Sequence, residues 1–251
     1  SPTDPVSVLG VLKEENVPLS LQSAVAGESL FNDGVGIVVF TILLGAAITG
    51  ADFSLGEGAR LFVIEAGGGV AVGLAFGWLG FRALRSMDEY TLEVLITLAV
   101  VMGGYALCSQ LHISGPLAMA VAGLLIGNQG ANLAMSDETL DYVNKFWELV
   151  DEVLNSVLFL LIGLEIIALV PGLREFAFGL AAIPITLAAR AIAVGGAIKA
   201  IPAARLSTPG SGRVLWWGGL RGGISIALAL SLPAGDTRDL LLAATFAAVL
   251  F

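Results

Sequence analysis

Charge is scarce in this sequence. Only 13% of its 251 residues are charged, 12 Lys or Arg against 21 Asp or Glu. A soluble domain of this length carries about 25%. The basic residues form no patch, which excludes a nucleic-acid surface of the usual kind. The acids sit mostly in loops, so the net charge of −9 says little about partners. Cysteine is almost absent. Cys108 stands alone in an apolar run, which excludes a disulfide framework and a thiolate metal cluster. It reads as a small buried hydrophobe. The single histidine, His112, falls in the link QLHISGP and reads as a solvated loop residue, although the chemistry of imidazole allows it to sense pH.

What the chain has instead is apolar length. It is 57% hydrophobic, with a mean hydropathy of +0.90. Apolar runs recur near the ~20 residues that a helix needs to cross a bilayer. They do not alternate at period two, as a membrane β-barrel would. The 32 glycines suit helices that approach closely in lipid. The reading is an all-α, polytopic, integral membrane protein. The expected spans are 5–12 in part, 19–48, 61–81, 92–111, 116–126, 153–170, 176–201 and 214–232, with a last one starting near 240. An acidic amphipathic stretch at 128–151 is expected to lie along the interface. Residues 1–251 thus read as about eight spans or part-spans of one transmembrane domain, truncated at both ends.

Loop charges orient the spans. Lys13, Arg82, Arg85, Lys145, Lys199, Arg205 and Arg213 fall on one side; Arg60, Arg174 and Arg238 fall on the other. The positive-inside rule places the first set in the cytoplasm. Two segments look broken. Pro2-Thr3-Asp4-Pro5 opens the chain, and GGLRGG at 218–223 puts four glycines around Arg221. Gly- or Pro-interrupted segments far apart in sequence point to the binding site of an inverted-repeat transporter.

The polar groups within apolar runs are few. They are Asp4 at the first break, Glu28, Ser29, Asn32 and Asp33 in AGESLFNDGVGIVVF, Asn155 and Glu165, Arg190, and Arg221 at the second break. A charge near mid-bilayer costs about 2.5–3.5 kcal/mol, so it faces a partner or a cavity. On a helix, Glu28 and Asn32 are i, i+4, and so are Ser29 and Asp33. The two pairs make one polar flank, their faces about 100° apart. A carboxylate in a dry cavity can bind and release a proton near neutral pH, and it binds hard cations through oxygen. One Asp can therefore hold either a proton or Na⁺, and Asp33 is the best placed for that. Ser29, Thr3 and backbone carbonyls freed at the break can complete the oxygen shell around a metal cation such as Na⁺. Arginine stays protonated and acts as a counter-charge, a role open to Arg190 and Arg221. Glu65 and Glu93 read as interfacial. Glu165 reads as an interfacial acid or as lining an entrance.

TDP at 3–5, GESLFNDG at 27–34 and GGLRGG at 218–223, with FWELVDEVLNSVLFLLIGLEI between them, together resemble the monovalent cation/proton antiporters of the NhaP/NHE (sodium/proton exchanger) branch. The resemblance covers essentially the whole chain. It implies a homodimer of about a dozen or more helices, with a dimerisation domain and a six-helix core built on two crossed broken helices. It implies sodium/proton antiport serving pH homeostasis in a bacterial or archaeal plasma membrane, without a cofactor. Asp33 resembles the carboxylate that binds proton and cation in turn, and Asn32 its neighbour. Thr3 resembles a possible ligand and Asp4 a dipole-balancing charge. Glu28 and Ser29 resemble the acid and hydroxyl beside the ion, Arg221 the arginine paired with that acid, and Arg190 the core arginine. Asn155 stands where animal exchangers carry an acid. The asparagine–aspartate pair implies electroneutral exchange, and charge counting agrees, since one carboxylate carries one charge whichever ligand it holds.

Two other functions fit the composition. Asp4 and Asp33 can be imagined as an intramembrane aspartyl protease dyad, but FNDG is not the GxGD pattern such enzymes carry, and two arginines are left without a task. A cation channel would conduct without proton coupling. Oxygen ligands alone do not separate Na⁺ from K⁺ or Li⁺.

Overall fold

Helix starts and stops are set by local chemistry. The computed structural model describes residues 12, 15, 17–49, 54–130, 135–168, 172–200, 211–219 and 222–251. The first long helix, α1, spans Leu19–Thr49. It follows Pro18, whose carbonyl accepts the Leu21 and Gln22 N–H groups at 2.9 and 3.3 Å. Helix α2, Leu55–Leu84, is capped by Ser54, whose side chain accepts the Glu57 N–H in the Ser-x-x-Glu spacing of a capping box. Helix α3, Tyr90–Leu111, stops at His112, which adopts the left-handed conformation at φ 54°. That turn lets the Ile113 N–H return to the Cys108 carbonyl at 3.0 Å, the usual way to satisfy a helix C-terminus. Ser114 caps α4, Gly115–Leu125, with Pro116 in its first turn. A π-turn at Ile126–Gly130 follows. The remaining helices are α5, Asp137–Ala168; α6, Leu173–Ala200; α7, Ser211–Trp217; α8, Gly223–Leu230; and α9, Asp236–Leu250. The described residues contain no strand.

Four helices are long and apolar enough to cross a membrane: Leu19–Ile48, Leu55–Leu84, Tyr90–Leu111 and Leu173–Ala200. Large apolar side chains such as Val63, Met102, Leu160 and Ile185 stand more than half exposed on the helix surfaces. Water would not tolerate that area of apolar surface, whereas lipid covers it.

The interfacial stretch expected at 128–151 is not a separate element. Residues 137–168 form one continuous helix. The sequence has no proline there and no glycine before Gly163, so nothing stops the helix where its polar face gives way to an apolar surface. The polar part is laced at i, i+4 by Lys145 and Asp141 at 2.6 Å, both exposed. The hydrogen bond that Lys145 donates to Asp141, then the charge of Asp141, holds the Lys145 ammonium above the ordinary lysine range. The break expected near 218–223 is present: α7 ends at Trp217 and α8 starts at Gly223. The break expected at 2–5 lies outside the described residues.

The chain divides into two compact units, Gly34–Val157 on the one hand and Ser1–Asp33 with Leu158–Phe251 on the other. In the first, α2 lies against α4 along a stripe of buried glycines, Gly69, Gly73, Gly77 and Gly80. Their spacing of three and four keeps them on one helix face. A Cβ at Gly69 would lie 2.7 Å from the Ser114 carbonyl oxygen, and one at Gly77 3.0 Å from the Ala122 Cα. Absence of side chains is therefore what lets these backbones meet, as small residues do in membrane helix pairs. In the second unit, Ile162 of α5, Ile226 and Ala229 of α8, and Leu242 and Phe246 of α9 form a buried cluster. There α6 meets α9 through Gly179, where a Cβ would come within 3.1 Å of the Ala243 carbonyl oxygen.

Candidate functional site

The polar flank read from the sequence sits in the interior of α1, with no helix breaker near it. Ser29 is buried, while Glu28, Asn32 and Asp33 are half-buried. None of Ser29, Asn32 and Asp33 is free; each is engaged by other groups. Glu28 meets Arg190 of α6. Arg190 Nη1 lies 3.0 Å from Glu28 Oε1, and Nη2 donates to Oε2 at 3.3 Å. The fork is bidentate, the geometry for which guanidinium is suited. The arginine side chain is 9% exposed and the glutamate 34%.

Arg190 does more than pair with the acid. Its Nε donates to the Leu215 and Trp216 carbonyls at 3.1 and 2.9 Å, and Nη2 also reaches Leu215. These are among the last carbonyls of α7, left without intrahelical donors because the helix ends at Trp217. A cation at a helix C-terminus also complements its dipole. The Trp216 indole N–H donates to the Leu187 carbonyl at 3.1 Å, one turn before Arg190. So α1, α6 and the broken helix are joined at one arginine. Gly219 completes the arrangement: a Cβ there would overlap the Arg190 guanidinium. Beside it lies a cavity of about 50 Å³, bordered by Thr186, Arg190, Trp216 and Gly219.

The partner expected for Glu28 from the sequence is Arg221. In the structure Arg190 pairs with Glu28; Arg221, Thr3 and Asp4 lie outside the described residues. Asn155 is half-buried on α5 and belongs to the Gly34–Val157 unit, whereas Glu28, Ser29, Asn32, Asp33 and Arg190 belong to the other. Gly219 serves as clearance for an arginine side chain, a role that the sequence does not disclose, since there the glycines signal only a break. Two further residues singled out in the sequence fall in the Gly34–Val157 unit. Glu93, read from the sequence as interfacial, is fully buried, with α5 over the start of α3. His112 is exposed as expected, but its backbone is the cap of α3.

The comparison with known proteins bears on the same motifs. The family model described as "Sodium/hydrogen exchanger, transmembrane" matches residues 1–251. The chain belongs to the sodium/hydrogen exchanger family. It is 50% identical over its whole length to the Na⁺/H⁺ antiporter NhaP of Pseudomonas aeruginosa, covering 60% of that protein. It is 39% identical, again over its whole length, to the antiporter NhaH of Halobacillus aidingensis, covering 62% of it. The low-affinity antiporter NhaS1 of Synechocystis is 36% identical, with 49% of its length covered. This exchanger chain thus spans about 60% of the length of the first two relatives. The transmembrane family model agrees with the four helices, among the described residues, that are long and apolar enough to cross a membrane, so the chain is a multi-pass membrane protein.

Proposed function

We propose that the whole protein exchanges Na⁺ for H⁺ across a bacterial or archaeal plasma membrane, with proton and cation competing for Asp33. The observation that carries this reading is the Arg190–Glu28 fork. That fork engages both carboxylate oxygens of Glu28. The task of carrying a proton therefore passes to the other acid of the flank, Asp33. Ser29, one turn earlier on the same flank, offers a hydroxyl oxygen to the cation, and Thr3 is a candidate for another. Asn32 adds an amide and no charge. Because Asp33 holds one proton or one monovalent cation, the exchange is one for one and electroneutral. Asp4 and Arg221 act as fixed charges at the two breaks. Asn155 lends a polar group without a charge. The functional protein is a homodimer in this reading, with K⁺ and Li⁺ as the competing candidate substrates. The names of the relatives, all Na⁺/H⁺ antiporters, support Na⁺.

The test is an assay of the full-length protein in everted vesicles. Respiration acidifies the lumen, a cation is added, and lumenal pH is followed. Sodium is expected to alkalinise the lumen, and Asp33→Asn to abolish the response while the protein remains folded. Retained exchange in Asp33→Asn removes Asp33 from the mechanism. A cation current with no pH change favours the channel.

A further inference from the structure

One buried acid lies apart from this machinery. Glu93 sits in the first turn of α3 and is 0% exposed. Neither of its carboxylate oxygens has a hydrogen-bond partner among the described residues. Its surroundings explain how an acid can persist there. Helices α2 and α4 pack against α3, and the first half of α5 covers it: the Trp147 indole N–H donates to Thr97 Oγ1 at 3.1 Å, and the Tyr90 and Tyr142 rings lie 4.8 Å apart.

No cation compensates Glu93 among the described residues. Helix α4 has no titratable group. Helix α2 brings Glu65, which is half-buried, and ends near Arg82 and Arg85, both exposed and neither ion-paired with Glu93. From α5 come Asp137, Glu138, Asp141 and Lys145, the last bonded to Asp141. The charge that acts on Glu93 is Asp88, of the same sign. The polar side chain facing it is Thr139 of α5, itself buried. The Thr139 hydroxyl donates to the Ser136 carbonyl at 3.2 Å. The Ser136 hydroxyl lies 3.1 Å from Thr139 Oγ1, so the single Thr139 proton has acceptors besides Glu93, and a Thr139 lone pair can accept the O–H of the Glu93 acid form. A bare carboxylate in this place would be a buried charge without a partner, which proteins avoid.

We propose that Glu93 is a second proton-binding site of this chain, and that loss of its proton unseats the first turns of α5 from α3. In the acid form, the Glu93 O–H donates to Thr139 Oγ1, and the tyrosine pair and the Trp147–Thr97 bond close over it. In alkali, the proton leaves to solvent base. The carboxylate left behind gains a stable environment only if water enters, which requires the covering segment at 137–147 to lift. The inference is independent of ion exchange at Asp33.

The experiment uses full-length protein in lipid nanodiscs and reads structure rather than transport. Infrared spectra at neutral pH are expected to contain a carbonyl stretch from a protonated carboxylic acid that Glu93→Gln lacks. Raising the pH into the alkaline range is expected to speed amide exchange at 137–147 on the order of tenfold, after correction for the chemical rate. Glu93→Gln, which keeps shape and neutrality, should show no such rise. Glu93→Met serves the same purpose if the amide is poorly tolerated. An unchanged carboxylic-acid band in the variants, or an equal alkaline response in variant and parent, overturns the proposal.

Discussion

Arg190 holds three acceptors at once, the Glu28 carboxylate and the carbonyls of Leu215 and Trp216. A neutral replacement strands all of them. Arg190→Leu is expected to destabilise the protein by about 2–3 kcal/mol, less than the ~3–5 of a fully buried pair, because Glu28 keeps a third of its side chain exposed. Arg190→Lys should recover only part of this. An ammonium is a point charge and lacks the planar fork that reaches a carboxylate and two carbonyls together. Chemical unfolding in mild detergent, read by tryptophan fluorescence from Trp216 and Trp217, gives the order parent, Lys, Leu. Equal stability for parent and Lys variant would show that charge alone matters. Motif residues are legible here because charges inside apolar runs are conspicuous. Which arginine meets which acid is not: both Arg190 and Arg221 satisfy the charge count, and the Arg190–Glu28 pair shows itself only in the three-dimensional path of α6 past the end of α7.

At the scale of elements, the α2–α4 contact depends on what the glycines lack. At Gly73 a Cβ would press on the Ala118 carbonyl oxygen and come within 2.9 Å of the Val121 Cβ. Backbone and β-branched carbon cannot yield as a flexible side-chain tip does. Gly73→Ala is expected to cost about 1–3 kcal/mol by overpacking. Gly67, on the same helix, has nothing within 4 Å of the place a methyl group would occupy, so Gly67→Ala should stabilise by about 0.5–1 kcal/mol through helix propensity. Melting the two variants side by side separates packing from propensity; parallel shifts of the same sign would refute the contact. Sequence periodicity announces helices throughout, and turn residues place most ends well. The exception is α5. Its acidic half suggests an interface helix ending near residue 151, but a change of polarity along a helix is not a stop signal, and only the absence of Gly and Pro through that stretch foretells continuity.

For the whole molecule, the asymmetry of basic residues makes a topological prediction. Arg82, Arg85 and Lys145 belong to the cytoplasmic set and Arg60 and Arg174 to the opposite one. Cysteines introduced at Ser86 and at Glu57, both exposed, are expected to react with an impermeant maleimide from opposite faces of intact cells, Ser86→Cys only after the membrane is opened. The native thiol does not interfere, since Cys108 is fully buried. Labelling of both from outside would invert or break the assigned topology. Composition alone suffices for the membrane class and the all-α fold. The division into two units is not legible, because its boundaries fall inside uninterrupted helices, at residues 33–34 of α1 and 157–158 of α5, where no loop or composition shift marks them. Nor is the burial of Glu93: a helix-end acid looks interfacial until the helix that covers it is known.

The glycine that lies under the Arg190 guanidinium has a consequence for heredity. A Cβ at Gly219 would overlap the Arg190 guanidinium, so a side chain there is expected to shift the guanidinium and weaken its bonds to Glu28 and the end of α7 together. Substitutions at 190 and at 219, distant in the gene, would therefore behave as alleles of one lesion, and combining them would add little harm to either alone. Drift at one position is closed while the other stands, and the pair can change only in concert.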